Sequence, residues 1–305
     1  MSEVRKGARR PKNGRDMGSY SVGNRQIKAE LVFAVLIAGL YALFLLDAWI
    51  EGGQMALILS MFLFVIFTVF AYMMRSGTLK GQQQFKSLVY VFMGLSALSM
   101  IWEILAYLNF VNSTGAGALW AAYVGVVYAV ISIIAIAAIM YVEKDSLKKL
   151  YIDVGDKNVI GLGAGGFVLC LVVSIIATYL AFGGNTIGQG KFIQIVVSVV
   201  LFGVLAGIVE EVWFRGLLLN RIVPLLGESQ GNIYQAAVFG VFETLMYYTL
   251  TGEASFIPAM FIIGAFTGYY WGRATLKAKS MLSPMLLHAG LYILLLLPLL
   301  VGLAS

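Results

Sequence analysis

Long apolar runs recur along this chain and leave few folds open to it. Each run of about 20 apolar residues can cross the ~30 Å hydrocarbon core of a bilayer as an α-helix. Hydrophobic residues make up 60% of the 305 residues and charged residues only 12%, about half the charged share of a soluble domain. Alternating patterns typical of a transmembrane β-barrel are absent. The sequence therefore predicts an all-α, polytopic transmembrane helix bundle.

We predict about nine spans from hydropathy and length. Their approximate limits are residues 30–50, 54–74, 87–110, 117–142, 159–183, 192–215, 233–251, 256–276 and 284–303. The glycines of the late spans recur at a spacing of four, as in Gly203 and Gly207, and this spacing indicates close helix packing. The chain thus divides into a disordered basic tail (1–28), N-terminal transmembrane helices (29–150) and a C-terminal core (151–305).

Basic residues mark one side of the predicted bundle. They crowd the tail and every second loop, whereas the opposite loops hold Asp47, Glu51, Glu253 and a single lysine, Lys191. Because an excess of Lys and Arg marks cytoplasmic loops, we place the N terminus in the cytoplasm and the C terminus outside. The net charge of +6 then serves topology and attraction to anionic membrane lipid. Nucleic acid is not an expected partner, and the oligomeric state is not predicted.

Four ionisable side chains interrupt the apolar runs of the last third of the chain. They are Glu210, Glu211, Glu243 and His288, the last being the chain's only histidine. A charge at mid-membrane costs at least ~2.5–3.5 kcal/mol on insertion scales, so such groups are usually paired, face a cavity and mark function. We predict that three late helices bring them to a common polar site in the cytoplasmic half.

Glu210, Glu211 and Arg215 form the first of three polar motifs. Its two glutamates are predicted to have different roles. Adjacent helical positions point about 100° apart, so Glu210 and Glu211 face different neighbours. Glu211 precedes Arg215 by four residues, the favourable order for an ion pair. Glu210 then remains for another role, such as general base. A second motif follows along the chain, where Phe239 precedes Glu243 by four residues.

Two tyrosines accompany the later motifs. Tyr247 follows Glu243 by one helical turn and is a candidate hydrogen-bond partner for its carboxyl group. Tyr292 follows His288 by the same spacing in the last span. A lone histidine in a helix is more often a satisfied polar group than a catalyst. Because two other polar motifs lie in the late spans, we favour a site that all three share.

These motifs resemble those of the CAAX-prenyl-protease and bacteriocin-processing (CPBP or ABI) family of intramembrane endopeptidases. That family shows Glu-Glu-x-x-x-Arg, then Phe-x-x-x-His, then His-x-x-x-Asn or His-x-x-x-Asp. Glu210, Glu211 and Arg215 match the first motif, and His288 opens the last. The resemblance covers roughly residues 155–300.

Two positions depart from the family pattern. Glu243 stands where the family has histidine, and Tyr292 stands where it has Asn or Asp. The related PrsW-type proteases carry Phe-x-x-x-Glu, which Phe239 and Glu243 match, but their first motif ends in Lys and their last is His-x-x-x-Asp. The chain therefore resembles a divergent member between the two patterns.

The resemblance implies an intramembrane glutamate protease. Glu210 would activate a water, Glu243 would assist it, and His288 would donate to the oxyanion. Tyr292 would be a second donor, with Glu211, Arg215, Phe239 and Tyr247 in support. One histidine and three carboxylates form a poor zinc set, so the expected mechanism needs no metal, although a divalent ion such as zinc remains an alternative.

Three functions remain open at this point. The first is an endopeptidase that cleaves a prenylated or membrane-associated peptide near the cytoplasmic leaflet, in a multi-pass protein whose site opens to the cytoplasm. The second is an inactive pseudoprotease that binds or chaperones a membrane partner, since two motif residues are replaced. The third is a proton- or ion-coupled carrier, which is disfavoured because all motifs lie toward one face.

Overall fold

Helices form nearly all of the described part of the chain, as the apolar runs predicted. The computed structural model describes residues 19–22, 25–28, 39, 54–107, 119–182, 188–251 and 254–304. The predicted first span at 30–50 lies outside the described residues, except for residue 39. The helices are α1 (Gln54–Arg75), α2 (Lys86–Tyr107), α3 (Trp120–Glu143), α4 (Lys157–Phe182), α5 (Gln189–Glu211), α6 (Asn220–Leu226), α7 (Glu228–Thr251), α8 (Ile257–Ala278) and α9 (Leu282–Ala304).

Shorter elements connect some of these helices. Short 3₁₀ segments precede α2 and α8 and follow α3, at Lys80–Phe85, Ala254–Phe256 and Leu147–Leu150. Near the N terminus, β1 (Ser19–Val22) pairs antiparallel with β2 (Arg25–Lys28). The paired ribbon differs from the disordered tail predicted for these residues. The signal overlooked was Gly23-Asn24 between the strands, a dipeptide that two-residue hairpin connections favour.

Six helical segments in the described ranges are long and apolar enough to cross a membrane. They are Leu57–Arg75, Gln83–Leu105, Ala121–Glu143, Lys157–Phe182, Gln189–Leu226 and Leu282–Gly302. The predicted spans at 233–251 and 256–276 are present as α7 and α8 but lack this degree of hydropathy. Their composition reflects polar side chains turned inward, because Asn232 and Gln235 of α7 and Thr275 of α8 are all buried.

Helix α5 is central to the packing of the bundle. It packs against α3 on one side and α9 on the other, α9 packs in turn on α4, and α7 and α8 form a second close pair. Gly203 and Gly207 allow the contact between α5 and α9, since a Cβ atom added there would lie 2.9 Å from Ala289 O and 2.8 Å from Ala289 N. The predicted close packing is confirmed at these glycines.

A π-helical segment continues α5 beyond the span predicted from the sequence. Residues Val212–Leu219 form this segment and lead directly into α6, which ends at Leu226 rather than near 215. The wider π turn adds a residue per turn, and such turns occur frequently at functional sites. Seven of its eight residues are buried, Arg215 among them. Near the start of α6, Arg221 pairs with Glu143 at the end of α3.

Candidate active site

Glu210 is fully buried at the end of α5 and receives side chains from two other helices. The Tyr128 hydroxyl of α3 donates to Glu210 Oε1 at 2.9 Å. The Tyr292 hydroxyl of α9 donates to Glu210 Oε2 at 2.6 Å. His288 of α9 places Nε2 3.3 Å from the same Oε2 atom. Both oxygens of this carboxyl group are therefore held by tyrosines.

Glu243 brings a second carboxyl group to the same place from α7. Its Oε1 atom lies 3.4 Å from His288 Nε2, and its side chain is 11% exposed. The Tyr292 hydroxyl lies 3.3 Å and 3.4 Å from the two Glu243 oxygens. Tyr292 and His288 therefore bridge Glu210 and Glu243. The three late helices bring these predicted residues together.

Glu211 pairs with a different basic residue and is joined to Glu210 through His288. Arg215 Nη1 lies 2.8 Å from Glu211 Oε1, with both side chains fully buried. This confirms the predicted pair at i,i+4. His288 Nδ1 lies 2.9 Å from the same Glu211 oxygen. Because neutral imidazole has one N–H donor and both His288 nitrogens face carboxylates, the doubly protonated ring satisfies the most contacts.

Aromatic rings enclose the Arg215 guanidinium. Its Cζ atom lies 4.3 Å from the Phe239 ring centroid and 5.4 Å from that of Trp271. Its Nη2 atom donates to Gly268 O at 3.4 Å. Cation–π contacts strengthen when the cation is removed from water. Phe239 thus has a direct structural role in the motif that it was predicted to support.

The imidazole of His288 is fixed in orientation by the same rings. Phe239 meets it edge-on at 5.3 Å between centroids, and Trp271 lies at 4.9 Å. Tyr292 stacks on it at 4.7 Å with an interplanar angle of 22°. Phe202 packs edge-on against Tyr292 at 5.5 Å. The large ring at position 292 is therefore accommodated by stacking, and its hydroxyl is directed at the carboxyl groups.

Tyr128 is the site residue that sequence reasoning missed. It is fully buried, and Trp102 of α2 packs edge-on against it at 5.8 Å. No motif surrounds it in the sequence. One available signal was its position near the middle of a span, because transmembrane tyrosines concentrate at the membrane interfaces. Tyr247, by contrast, packs against Phe256 at 6.2 Å, and its predicted bond to Glu243 stays a prediction.

The cluster keeps unused hydrogen-bonding capacity. Among the described residues, Glu211 Oε2, Arg215 Nε and His288 Nε2 are buried without a hydrogen-bond partner. Buried polar atoms of this kind usually have a protein or water partner. The polar interior therefore offers donors and acceptors to a water molecule or a substrate.

Three of these side chains form a possible metal-binding group. One donor atom from each of Glu210, Glu243 and His288 lies within 4.8 Å of the other two. Two carboxylates and one imidazole suit several divalent ions. Coordination by Glu210 Oε2 would compete with the bond from Tyr292, which occupies that oxygen at 2.6 Å. The donor set fits an ion only if this tyrosine moves aside.

Comparison with known protein families finds a similarity that lies in the late helices. Residues 192–294 match the family model of the type II CAAX prenyl endopeptidase Rce1-like proteins. This match confirms the resemblance to the CAAX prenyl protease family and covers all three motifs. With its apolar helices, the chain is a multi-pass integral membrane protein, and residues 192–294 are similar to the type II CAAX prenyl endopeptidases. No curated protein and no solved structure matches the chain.

Proposed function

We propose that this protein is an intramembrane endopeptidase that hydrolyses a peptide bond of a prenylated or otherwise membrane-associated substrate by glutamate-activated water. The observation that carries the proposal is the convergence of Glu210, Glu243 and His288 from α5, α7 and α9. These residues lie within the segment that matches the Rce1-like family. Burial of two carboxyl groups and an imidazole together is typical of functional sites.

In the proposed reaction, a water molecule binds between Glu210 and Glu243. Glu210 accepts a proton from this water as its oxygen attacks the carbonyl carbon of the scissile bond. The C–N bond then breaks, and the proton passes from Glu210 to the leaving nitrogen. The products are a carboxylic acid and an amine, and no further reactant is required.

Charge balance supports a shared proton at this site. Glu210, Glu211 and Glu243 face two basic groups, Arg215 and His288, within one buried cluster. Close carboxyl groups commonly share one proton, because two adjacent negative charges repel each other strongly. A proton shared by Glu210 and Glu243 neutralises the cluster and helps both groups to hold the water.

Each later motif residue has its own role in this proposal, including the two that differ from the family pattern. Glu243 takes the place of the second-motif histidine as the partner of Glu210. His288 Nε2 lies beside both carboxyl groups and serves as the oxyanion donor. The Tyr292 hydroxyl is bound to Glu210, so in this structure it orients the base and does not point to an oxyanion. The mechanism needs no metal.

We further propose nine spans, with the N terminus and the opening of the site on the cytoplasmic side. The structure gathers basic residues at one end of the bundle: Arg75, Lys86 and Lys144 line one cavity, and Arg273 and Lys277 line another. An excess of Lys and Arg favours the cytoplasmic face. Counting α7, α8 and residues 30–50 as spans gives the odd total that this topology requires.

Turnover by the purified full-length protein tests the proposal. We expect cleavage of a farnesylated peptide ending in a CAAX sequence, detected by mass spectrometry as two products. His288→Ala should abolish this cleavage, because it removes the oxyanion donor and the link between the carboxyl groups. Tyr179→Phe, at a half-exposed tyrosine of α4, is a control that should cleave normally. Absence of turnover in the wild type, over a panel of prenylated peptides, would favour the binding-only pseudoprotease.

Tyr128→Phe should slow cleavage without stopping it. The change removes the hydroxyl that donates to Glu210 Oε1 and keeps the ring that packs on Trp102. Hydrogen bonds to charged groups contribute about 1.5–3 kcal/mol, so we expect roughly a 10–100-fold fall in kcat. KM should change little, because Tyr128 contacts the base. Tyr123→Phe on the same helix, where the side chain is 57% exposed, is the matched control. Equal kcat in both variants would contradict this positioning role.

A further inference from the structure

A groove between α1, α2 and α3 lies outside the segment that matches the protease family. It has a volume of about 480 Å³. Its walls are mostly apolar and include three alanines beside larger side chains: Ala97, Ala135, Ala138, Phe64, Met93 and Ile139. The Thr68 hydroxyl is already bound to Phe64 O at 2.7 Å. The groove therefore suits a hydrocarbon chain better than a peptide, whose backbone groups need hydrogen-bond partners in a membrane.

The groove opens into a cavity with a basic mouth. This second cavity has a volume of about 730 Å³ and shares Arg75, Tyr90 and Val142 with the groove. Arg75, Lys86 and Lys144 all line it. Its acidic residue, Asp145, pairs with Lys149 at 2.5 Å and Arg221 at 3.1 Å. The mouth therefore keeps an excess of positive charge.

We propose that this groove and its mouth bind an anionic phospholipid. The phosphate lies among Arg75, Lys86 and Lys144, and one acyl chain follows the groove between the three helices. Basic pockets between transmembrane helices have the charge that anionic lipid headgroups require. The apolar groove and the cationic cavity share Arg75, Tyr90 and Val142, so an acyl chain and its phosphate can occupy them together. This inference does not depend on proteolysis.

One wall residue of the groove lies close to the π-helical segment. Gly94 lies on its wall, and a Cβ atom added at Gly94 would overlap the ring of Trp213. Trp213 belongs to the π-helical segment that carries Arg215. A bound lipid chain therefore fills the space next to helices that support this segment. We expect bound lipid to raise the melting temperature of the protein.

Native mass spectrometry of the full-length protein in detergent tests the proposal. With dioleoyl phosphatidylglycerol added, we expect one equivalent to remain bound and the melting temperature to rise. The zwitterionic dioleoyl phosphatidylcholine should bind far more weakly. Glycerol phosphate should not displace the lipid, because it has the headgroup charge without the acyl chains. Displacement by glycerol phosphate would show a simple anion site and overturn the proposal.

Two variants test the three basic residues and the apolar groove separately. Replacing Arg75, Lys86 and Lys144 by Gln together should weaken retention of phosphatidylglycerol roughly a hundredfold, at about a fivefold loss for each basic residue. Ala138→Trp should weaken it by filling the groove while leaving the charges. The control replaces Arg273 and Lys277 by Gln in a different basic cavity of about 550 Å³. Equal weakening in the control, or full retention in both test variants, would overturn the assigned site.

Discussion

Glu210→Gln should abolish detectable hydrolysis of a prenylated peptide. The glutamine side chain has nearly the same shape but cannot accept the proton of the attacking water. Loss of a general base typically lowers the rate by about 10²–10⁴-fold.

The variant should nevertheless fold. Its amide oxygen still accepts a hydrogen bond from one of the two tyrosines, and the other hydroxyl can rotate to accept from the amide group. Glu228→Gln is the matched control, since Glu228 is exposed at the start of α7. kcat for both variants should be measured on the same farnesylated peptide, with melting temperatures as the check on folding. A Glu210→Gln protein that cleaves at the wild-type rate would remove the proposed base.

Local spacing in the sequence was sufficient to predict the parts of the site that lie on one helix. Glu211 and Arg215 are separated by one turn, so their ion pair follows from helical geometry alone. The convergence of Glu210, Glu243 and His288 was predicted by a different argument, the cost of leaving ionisable groups in lipid. That cost requires partners, and few other ionisable groups were available in the late spans.

Contacts between distant helices could not be predicted in this way. Tyr128 reaches Glu210 across 82 positions of sequence, and its own neighbourhood is an ordinary apolar run. The direction of the Tyr292 hydroxyl depends on how closely α9 approaches α5, where a Cβ atom at Gly203 would lie 3.4 Å from Tyr292 Cβ. The sequence shows the glycine at position 203, but it does not show which aromatic ring packs against that glycine.

The π-helical segment is a further feature set by tertiary packing. The apolar run predicted a span that ended near Arg215. No proline lies within Val212–Leu219, and nothing in these residues indicated a change to π-helical geometry. In the structure, Trp213 packs against Gly94 of α2 and Arg215 lies against the rings of Phe239 and Trp271. Both side chains find deep positions on different neighbours. The π-helical segment therefore carries both of these buried contacts.

The N-terminal helices are therefore part of the candidate site. Tyr128 lies on α3, outside the segment 192–294 that matches the protease family. Trp102 of α2 holds its ring, so two helices of the N-terminal unit position one donor to Glu210. The remaining wall of α1, α2 and α3 forms the proposed lipid groove. This arrangement gives the additional spans a role in both stability and geometry.

Arg215→Met should destabilise the folded protein strongly. The change leaves the Glu211 carboxylate buried with His288 as its remaining basic neighbour, and it removes the cation that lies against two aromatic rings. Removing one partner of a buried ion pair costs about 3–5 kcal/mol, because the other charge is left uncompensated. We expect a clear fall in the melting temperature of the detergent-solubilised protein. Arg273→Met on α8, at an exposed arginine, is the control and should melt near the wild-type temperature.

A double variant separates the charge effect from loss of packing. If the unpaired carboxylate causes the damage, Glu211→Gln combined with Arg215→Met should be more stable than Arg215→Met alone, as a double-mutant cycle requires for coupled charges. Arg215→Lys should recover only part of the loss, since a single ammonium cannot reproduce the planar contacts with Glu211, Gly268 O and Phe239. A melting temperature of Arg215→Met equal to that of Arg273→Met would show that this ion pair does not hold the three late helices together.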